Sequence, residues 1–113
     1  MKFKITNEVD AYVMGQIEKN LINGTPTNMG DYYAGASYYY DSDRDMKLAA
    51  EWIEKSIADS EAYWKYHLQA KILVRLGKND AAKTAAEKSI SLAENGVNPD
   101  YVRLNKKLID SLD

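Results

Sequence analysis

His67, Lys71 and Arg75 follow one another at intervals of four residues, a spacing that puts all three on one face of a helix. An imidazole, an ammonium and a guanidinium in such a row can grip a peptide carboxylate or an acidic segment through charge-assisted hydrogen bonds. Trp64 stands at one end of the row and adds a flat apolar surface with a hydrogen-bonding edge. The competing reading is an ordinary solvated helix face, on which Glu61 lies near Lys65 and the charges contribute little.

Asp41-Ser42-Asp43-Arg44-Asp45 carries the alternating carboxylates that open a calcium-binding loop. Met46 stands where that loop needs glycine, and Trp52 where it needs a bidentate glutamate. The alternative is a solvated turn whose aspartates cap the next helix and complement its dipole. Tyr32, Tyr33, Tyr38, Tyr39 and Tyr40 form a second cluster. They cannot all face one way on a single helix, so some reach another surface. Tyrosine suits protein interfaces and sugar-binding surfaces, and it serves equally well to pack against flanking helices.

Nothing in the chain assembles a reaction centre. The single histidine has no thiol beside it, and neither a Gly-x-Ser-x-Gly elbow nor a phosphate-cradling glycine loop occurs. A non-catalytic protein is expected, with no cofactor and no metal. Asn23-Gly24-Thr25 matches an N-glycosylation triplet and reads more simply as a turn.

The elements that position these residues follow from composition and periodicity. The 113 residues fit one domain, large enough to bury roughly two thirds of the surface of the unfolded chain. Fifteen basic against 17 acidic side chains leave a net charge of −2, which provides no positive field for nucleic acid or an anionic membrane. No stretch reaches transmembrane length, and the absence of cysteine excludes disulfides and thiolate metal sites. Met1 to Thr6 is too short in apolar residues for a signal-peptide core. The compartment stays undetermined, cytoplasmic by default and periplasmic or extracellular if the chain is a piece of a secreted parent.

Val9, Val13, Ile17 and Leu21 stripe a first helix over 7–23, closed by Asn23-Gly24 and by Pro26. A second is expected over 28–41, with Ala34, Gly35, Ala36 and Ser37 permitting close approach by a neighbour. A third runs to Asp59 with Leu48, Ala49, Trp52, Ile53 and Ile57 inward, a fourth spans 60–76, and Gly77 caps it. The fifth runs from Asn79 to Asn95-Gly96, and Asn98-Pro99 opens the last, with Tyr101, Val102, Leu104, Leu108, Ile109 and Leu112 on its apolar side. Lys2 to Thr6 alternates as a short strand would.

Glu-Lys-Ser-Ile occurs at 54–57 and again at 87–90, an offset of 33 residues. That period is what stacked helical hairpins leave in a sequence. The offset pairs Tyr33 with Tyr66, Ser37 with Ala70, Tyr40 with Leu73, Ala49 with Ala82, Ile53 with Ala86 and Ile57 with Ile90 as the packing positions, in units of about 30–62 and 63–95. Ser56 and Ser89 should then occupy like surroundings. The order of aromatic, small, bulky, glycine, alanine and aliphatic residues resembles the tetratricopeptide repeat. The second unit fits better, with Tyr66, Ala70, Leu73, Gly77, Ala82, Ser89 and Ile90 in place, whereas the first has Arg44 where the glycine belongs.

A second resemblance covers nearly the whole chain. Asp31 to Tyr40, Ala50 to Ile57 and Asn98 to Asn105 are similar to the C-terminal helical half of the bacterial family called domain of unknown function 2911. A β-rich domain usually comes first in that family, and residues 1–6 would fit the end of its last strand.

Together these readings predict an all-α domain over 7–113, a right-handed stack of three antiparallel hairpins with about six helices. The resemblance to the tetratricopeptide repeat implies a protein or peptide interaction or scaffolding module, with the helix bearing His67 facing the concave side and Tyr38 available from the preceding unit. Its expected contact residues are Tyr38, Trp64, His67, Lys71 and Arg75, and the partner is a protein or peptide, with a homodimer compatible. Two alternatives stand beside it: an accessory domain packed on its own β-rich neighbour through the first helix, Phe3 and Ile5, and a small-ligand binding domain.

Overall fold

Polar caps and left-handed turns divide the chain much as its sequence predicts. The computed structural model of the protein describes residues 7–17, 19, 21 and 30–112. Six helices occur among them, α1 (Asn7–Ile17), α2 (Gly30–Asp41), α3 (Met46–Asp59), α4 (Tyr63–Arg75), α5 (Asn79–Asn95) and α6 (Pro99–Ser111), with no strand among the described residues. The protein is all-α, as expected. The extended pattern at 2–6 and the turn at 23–26 lie outside the described residues. From α2 onward each helix packs on the next, and α4 also touches both α2 and α6.

The starts and stops have local causes. Asp45 caps α3, its Oδ1 accepting from the backbone N–H of Lys47 at 3.0 Å and of Leu48 at 3.3 Å, so the acidic turn does the capping work considered for it. At the far end of α3 the Lys65 ammonium donates to the carbonyls of Ser56 and Ser60 and to Ser60 Oγ. Lys65 is therefore committed to satisfying helix-terminal carbonyls rather than to balancing Glu61.

Helices α2, α4 and α5 all end in the same hydrogen-bonded motif, in which one residue adopts a left-handed conformation and the next N–H reaches back into the last turn. The bonds Arg44 N–H to Tyr39 O, Lys78 N–H to Leu73 O and Asn98 N–H to Ala93 O are 2.8, 2.9 and 2.8 Å. The left-handed residues are Asp43, Gly77 and Val97, with φ of 56°, 77° and 55°. Glycine was expected after α4 and after α5, and a polar run after α2. Gly77 and Asp43 meet those expectations, whereas the turn after α5 passes over Gly96 to use Val97.

This displaces the repeat register by one residue in its first half. Asp43 and Gly77 are 34 residues apart, and Arg44 is the extra residue between the left-handed position and the cap at Asp45, whereas Lys78 follows Gly77 directly as the cap of α5. The pairing by 33 holds for α3 against α5, where Ala49, Trp52, Ile53 and Ser56 are buried in step with Ala82, Ala85, Ala86 and Ser89. On α2 it pairs buried Gly35 with Leu68 and Tyr39 with Ile72, while Tyr33 and Tyr40, two of the expected packing positions, are half-buried against the same core, and Ala36 rather than Ser37 is the fully buried small residue.

The core forms where small residues let these helices close. Tyr39 meets Trp52 edge to face with centroids 4.7 Å apart, within a cluster that includes Ile17, Ala36, Ala49, Ile53, Leu68 and Ile72. Gly35 makes room for it, since a Cβ there would overlap Leu21 and stand 3.3 Å from Trp52 Cε3. A second cluster of Ala70, Ala85 and Ala86 is closed by Leu73, Leu108 and Ile109.

Val97 is a β-branched residue held left-handed and 84% exposed, so no burial within the chain offsets its steric cost. Val97→Gly is expected to stabilise the fold by about 1 kcal/mol, the conformational relief outweighing the added freedom of the unfolded chain. Urea unfolding of dilute protein measures this, and a loss of stability would contradict it.

Candidate functional site

Helix α4 carries the row of cationic side chains, and each side chain has a partner on a neighbouring element. The Lys71 ammonium lies 5.0 Å and the Arg75 guanidinium 4.8 Å from the ring centroid of Tyr40 on α2, a geometry in which the ring quadrupole attracts both. Arg75 also pairs with Asp43. Burial pushes the Lys71 pKa below its ordinary value, against the pull of Asp41. The Asp43 hydrogen bond holds that of Arg75 above its own. Tyr40, rather than Tyr38, is thus the aromatic under these cations. Tyr38 instead lies beneath the Arg44 guanidinium, 5.4 Å from the ring centroid.

Trp64, at the N-terminal end of α4, is 42% exposed and meets Tyr63 edge to face at 4.9 Å. Helical periodicity places Trp64, Lys71 and Arg75 along one line. Tyr38 stands apart from that line on α2.

His67 is turned toward α6. Its Nδ1 lies 2.7 Å from Asn105 Oδ1, and its ring meets Tyr101 at a right angle with centroids 5.4 Å apart. Asn105 is fully buried, and the chemistry of its neighbours determines every proton. Tyr101 O can only accept, so Asn105 Nδ2 faces it at 2.7 Å, and the same nitrogen donates to Ser89 Oγ at 2.8 Å. Oδ1 then faces His67 and can only accept, which puts the imidazole proton on Nδ1. Ser89 donates in turn to the Tyr63 carbonyl at 2.7 Å. Asn98, expected as a helix cap, makes no side-chain cap bond and donates instead to the Tyr63 hydroxyl at 3.0 Å.

One chain of bonds therefore joins α4, α5 and α6. Its centre, Asn105, escaped the sequence reading, although it stands four residues after Tyr101 and three before Leu108, on the apolar stripe of α6. A polar residue on such a stripe is the signal that finds it.

Ser56 and Ser89, expected in like surroundings, are alike in burial at 1% and 0% exposed and unlike in partners. Ser56 Oγ is buried without a hydrogen-bond partner among the described residues. The residue 33 positions before Asn105 is Ile72, an aliphatic side chain with nothing to donate.

No protein-family model, curated protein or solved structure matches the chain. No described helix is long and apolar enough to cross a membrane.

Two outcomes test the network. Ser89→Ala should cost about 1–2 kcal/mol by removing a buried acceptor, whereas Ser56→Ala should be neutral within about 0.5 kcal/mol or stabilising; equal effects in urea unfolding would contradict the difference. Burial lowers the His67 pKa from 6.5, with Lys71 adding to the fall and the Asn105 bond opposing it. The unfolded chain thus takes up this proton near pH 6.5 and the folded chain only at lower pH. The contribution to stability is complete above the unfolded value and declines as pH falls toward the folded one. The stability difference between wild type and His67→Gln should shrink below about pH 6.5 and stay constant above it; a flat difference throughout would exclude the linkage.

Proposed function

We propose that the protein is a non-catalytic interaction module, built as a tetratricopeptide-like stack of hairpins, that receives an acidic segment of a partner protein along α4. The observation that carries this reading is the line of Trp64, Lys71 and Arg75, with both cations held against the Tyr40 ring. Cations already oriented by an aromatic face lose less side-chain freedom when an anion arrives. Lys71 is also partly stripped of water, as the direction of its pKa shows, so a carboxylate would compensate a desolvated charge. Trp64 supplies the exposed apolar anchor that favours a peptide over a simple ion.

Contacts among α2, α4 and α6 support the stack, because alternate helices meet along one side in such an arrangement. His67 serves there as a support for α4 through Asn105 rather than as a free ligand.

The test is titration with a synthetic peptide rich in aspartate and glutamate that carries one aromatic residue, followed by tryptophan fluorescence. Trp52 is buried at 2% exposure and Trp64 is not, so a change lost in Trp64→Phe reports on the proposed surface. Lys71→Glu with Arg75→Glu should weaken binding by about tenfold or more and leave helical circular dichroism intact. Unchanged binding in the double variant removes the reading.

A further inference from the structure

The turn after α5 has a glycine where the backbone does not need one and a β-branched residue where it does. Gly96 has φ of −85° and ψ of 1°, a conformation open to other residues, and a Cβ there would meet Leu92 O at 3.4 Å and Tyr63 Cε2 at 3.7 Å, both ordinary contacts. Val97 holds the left-handed position at φ of 55°. What the glycine does change is the chemistry of the residue before it, the exposed Asn95. We propose that Asn95 is a site of spontaneous covalent modification, deamidation and isomerisation through a cyclic imide with Gly96, restrained by the last turn of α5.

The reaction requires only water. The Gly96 backbone nitrogen, once its proton has passed to solvent hydroxide, attacks Cγ of Asn95. A new C–N bond closes the imide ring, the bond from Cγ to Nδ2 breaks, and Nδ2 leaves as ammonia. Water then opens the ring at either carbonyl, leaving aspartate or the isomer whose main chain runs through the former side chain. A glycine after the asparagine leaves the attacking nitrogen uncrowded, which favours the first step.

The folded turn opposes that step twice. Gly96 N–H is bonded to Leu92 O at 2.9 Å, and Asn95 is part of α5, so its helical backbone aims the nitrogen along the helix axis and away from its own side chain. The reactive state is therefore one in which the turn has opened. Opening breaks that bond, the bond from Val97 N–H to Glu94 O and the bond from Asn98 N–H to Ala93 O. It also releases Val97 from its left-handed conformation, so the strain at Val97 favours the reactive state. Either product disturbs the junction with α6. The new carboxylate lies at the negative end of the α5 dipole beside Glu94, and the isomer lengthens the main chain by a methylene just before Asn98, whose bonds to Ala93 and to the Tyr63 hydroxyl position the start of α6.

Incubation of the full chain at mildly alkaline pH, folded and in denaturing urea, tests this. Peptide mapping by mass spectrometry follows the loss of the amide at Asn95 and separates it from Asn23, which also precedes a glycine. Folded protein should convert Asn95 about tenfold to a hundredfold more slowly than unfolded protein, as the opening of a helix end requires. Val97→Gly should slow the folded reaction by about a further fivefold and leave the rate in urea unchanged. Gly96→Ala, which the backbone accepts, should suppress conversion in both states. Equal rates in the folded and unfolded protein overturn the proposal. So does a folded Val97→Gly variant that converts as fast as wild type, or an Asn95 that stays intact in the folded protein for much longer than about a hundred times its half-life in urea.

Discussion

A buried carboxamide bonded to three neighbours constrains three of the six described helices. Asn105 spends its oxygen on His67 and its nitrogen on Ser89 and Tyr101, and at full burial it has no water to fall back on. A buried amide that loses its partners carries a desolvation cost larger than the net gain of any one bond it makes. The register of α6 against α4 and α5 is thereby specified rather than merely favoured, since a slip of one residue would strand Asn105, Ser89 and His67 together. Apolar packing of α6 alone would be more forgiving. Leu108 and Ile109 meet a cluster made mostly of alanine, which offers few shapes to tell one register from another.

The other end of the molecule solves the same problem with shape. Tyr39 and Trp52 interlock over Gly35, and Ile72, 33 residues before Asn105, brings an aliphatic side chain to that cluster. Ser56 is as buried as Ser89, and its hydroxyl has no hydrogen-bond partner among the described residues. The two ends of the described structure rely on opposite chemistries, one polar and hydrogen-bonded, the other apolar and interlocked.

The extent to which the sequence discloses this follows from how local each cause is. Helix starts and stops at Asp45, Gly77 and Pro99 depend on a few neighbouring residues and were legible. The face of α2 was legible only in part, since Ala36 is buried where Ser37 was expected, and the left-handed position at Asp43 is one that composition does not announce. The same holds for Val97, which no propensity would place left-handed with Gly96 beside it. The row on α4 was legible as spacing. Its partners Tyr40, Asp43 and Asn105 come from other elements, and which residue meets which is decided by the register that the turn sets.

Those partners also limit what the α4 surface can do. Arg75 already holds the Asp43 carboxylate in an exposed pair, so an incoming carboxylate replaces one anion by another, an exchange with little net gain at the surface. Lys71 differs, because its charge is partly desolvated and lies over the Tyr40 ring. In the proposed reading the discriminating interaction would belong to Lys71, with Trp64 contributing apolar area and Arg75 contributing long-range attraction that speeds encounter more than it slows release. A surface of this kind suits a contact that forms quickly and dissociates readily. The hydrogen-bonded network beneath His67 ties α4 to α5 and α6 and so holds the proposed surface in place.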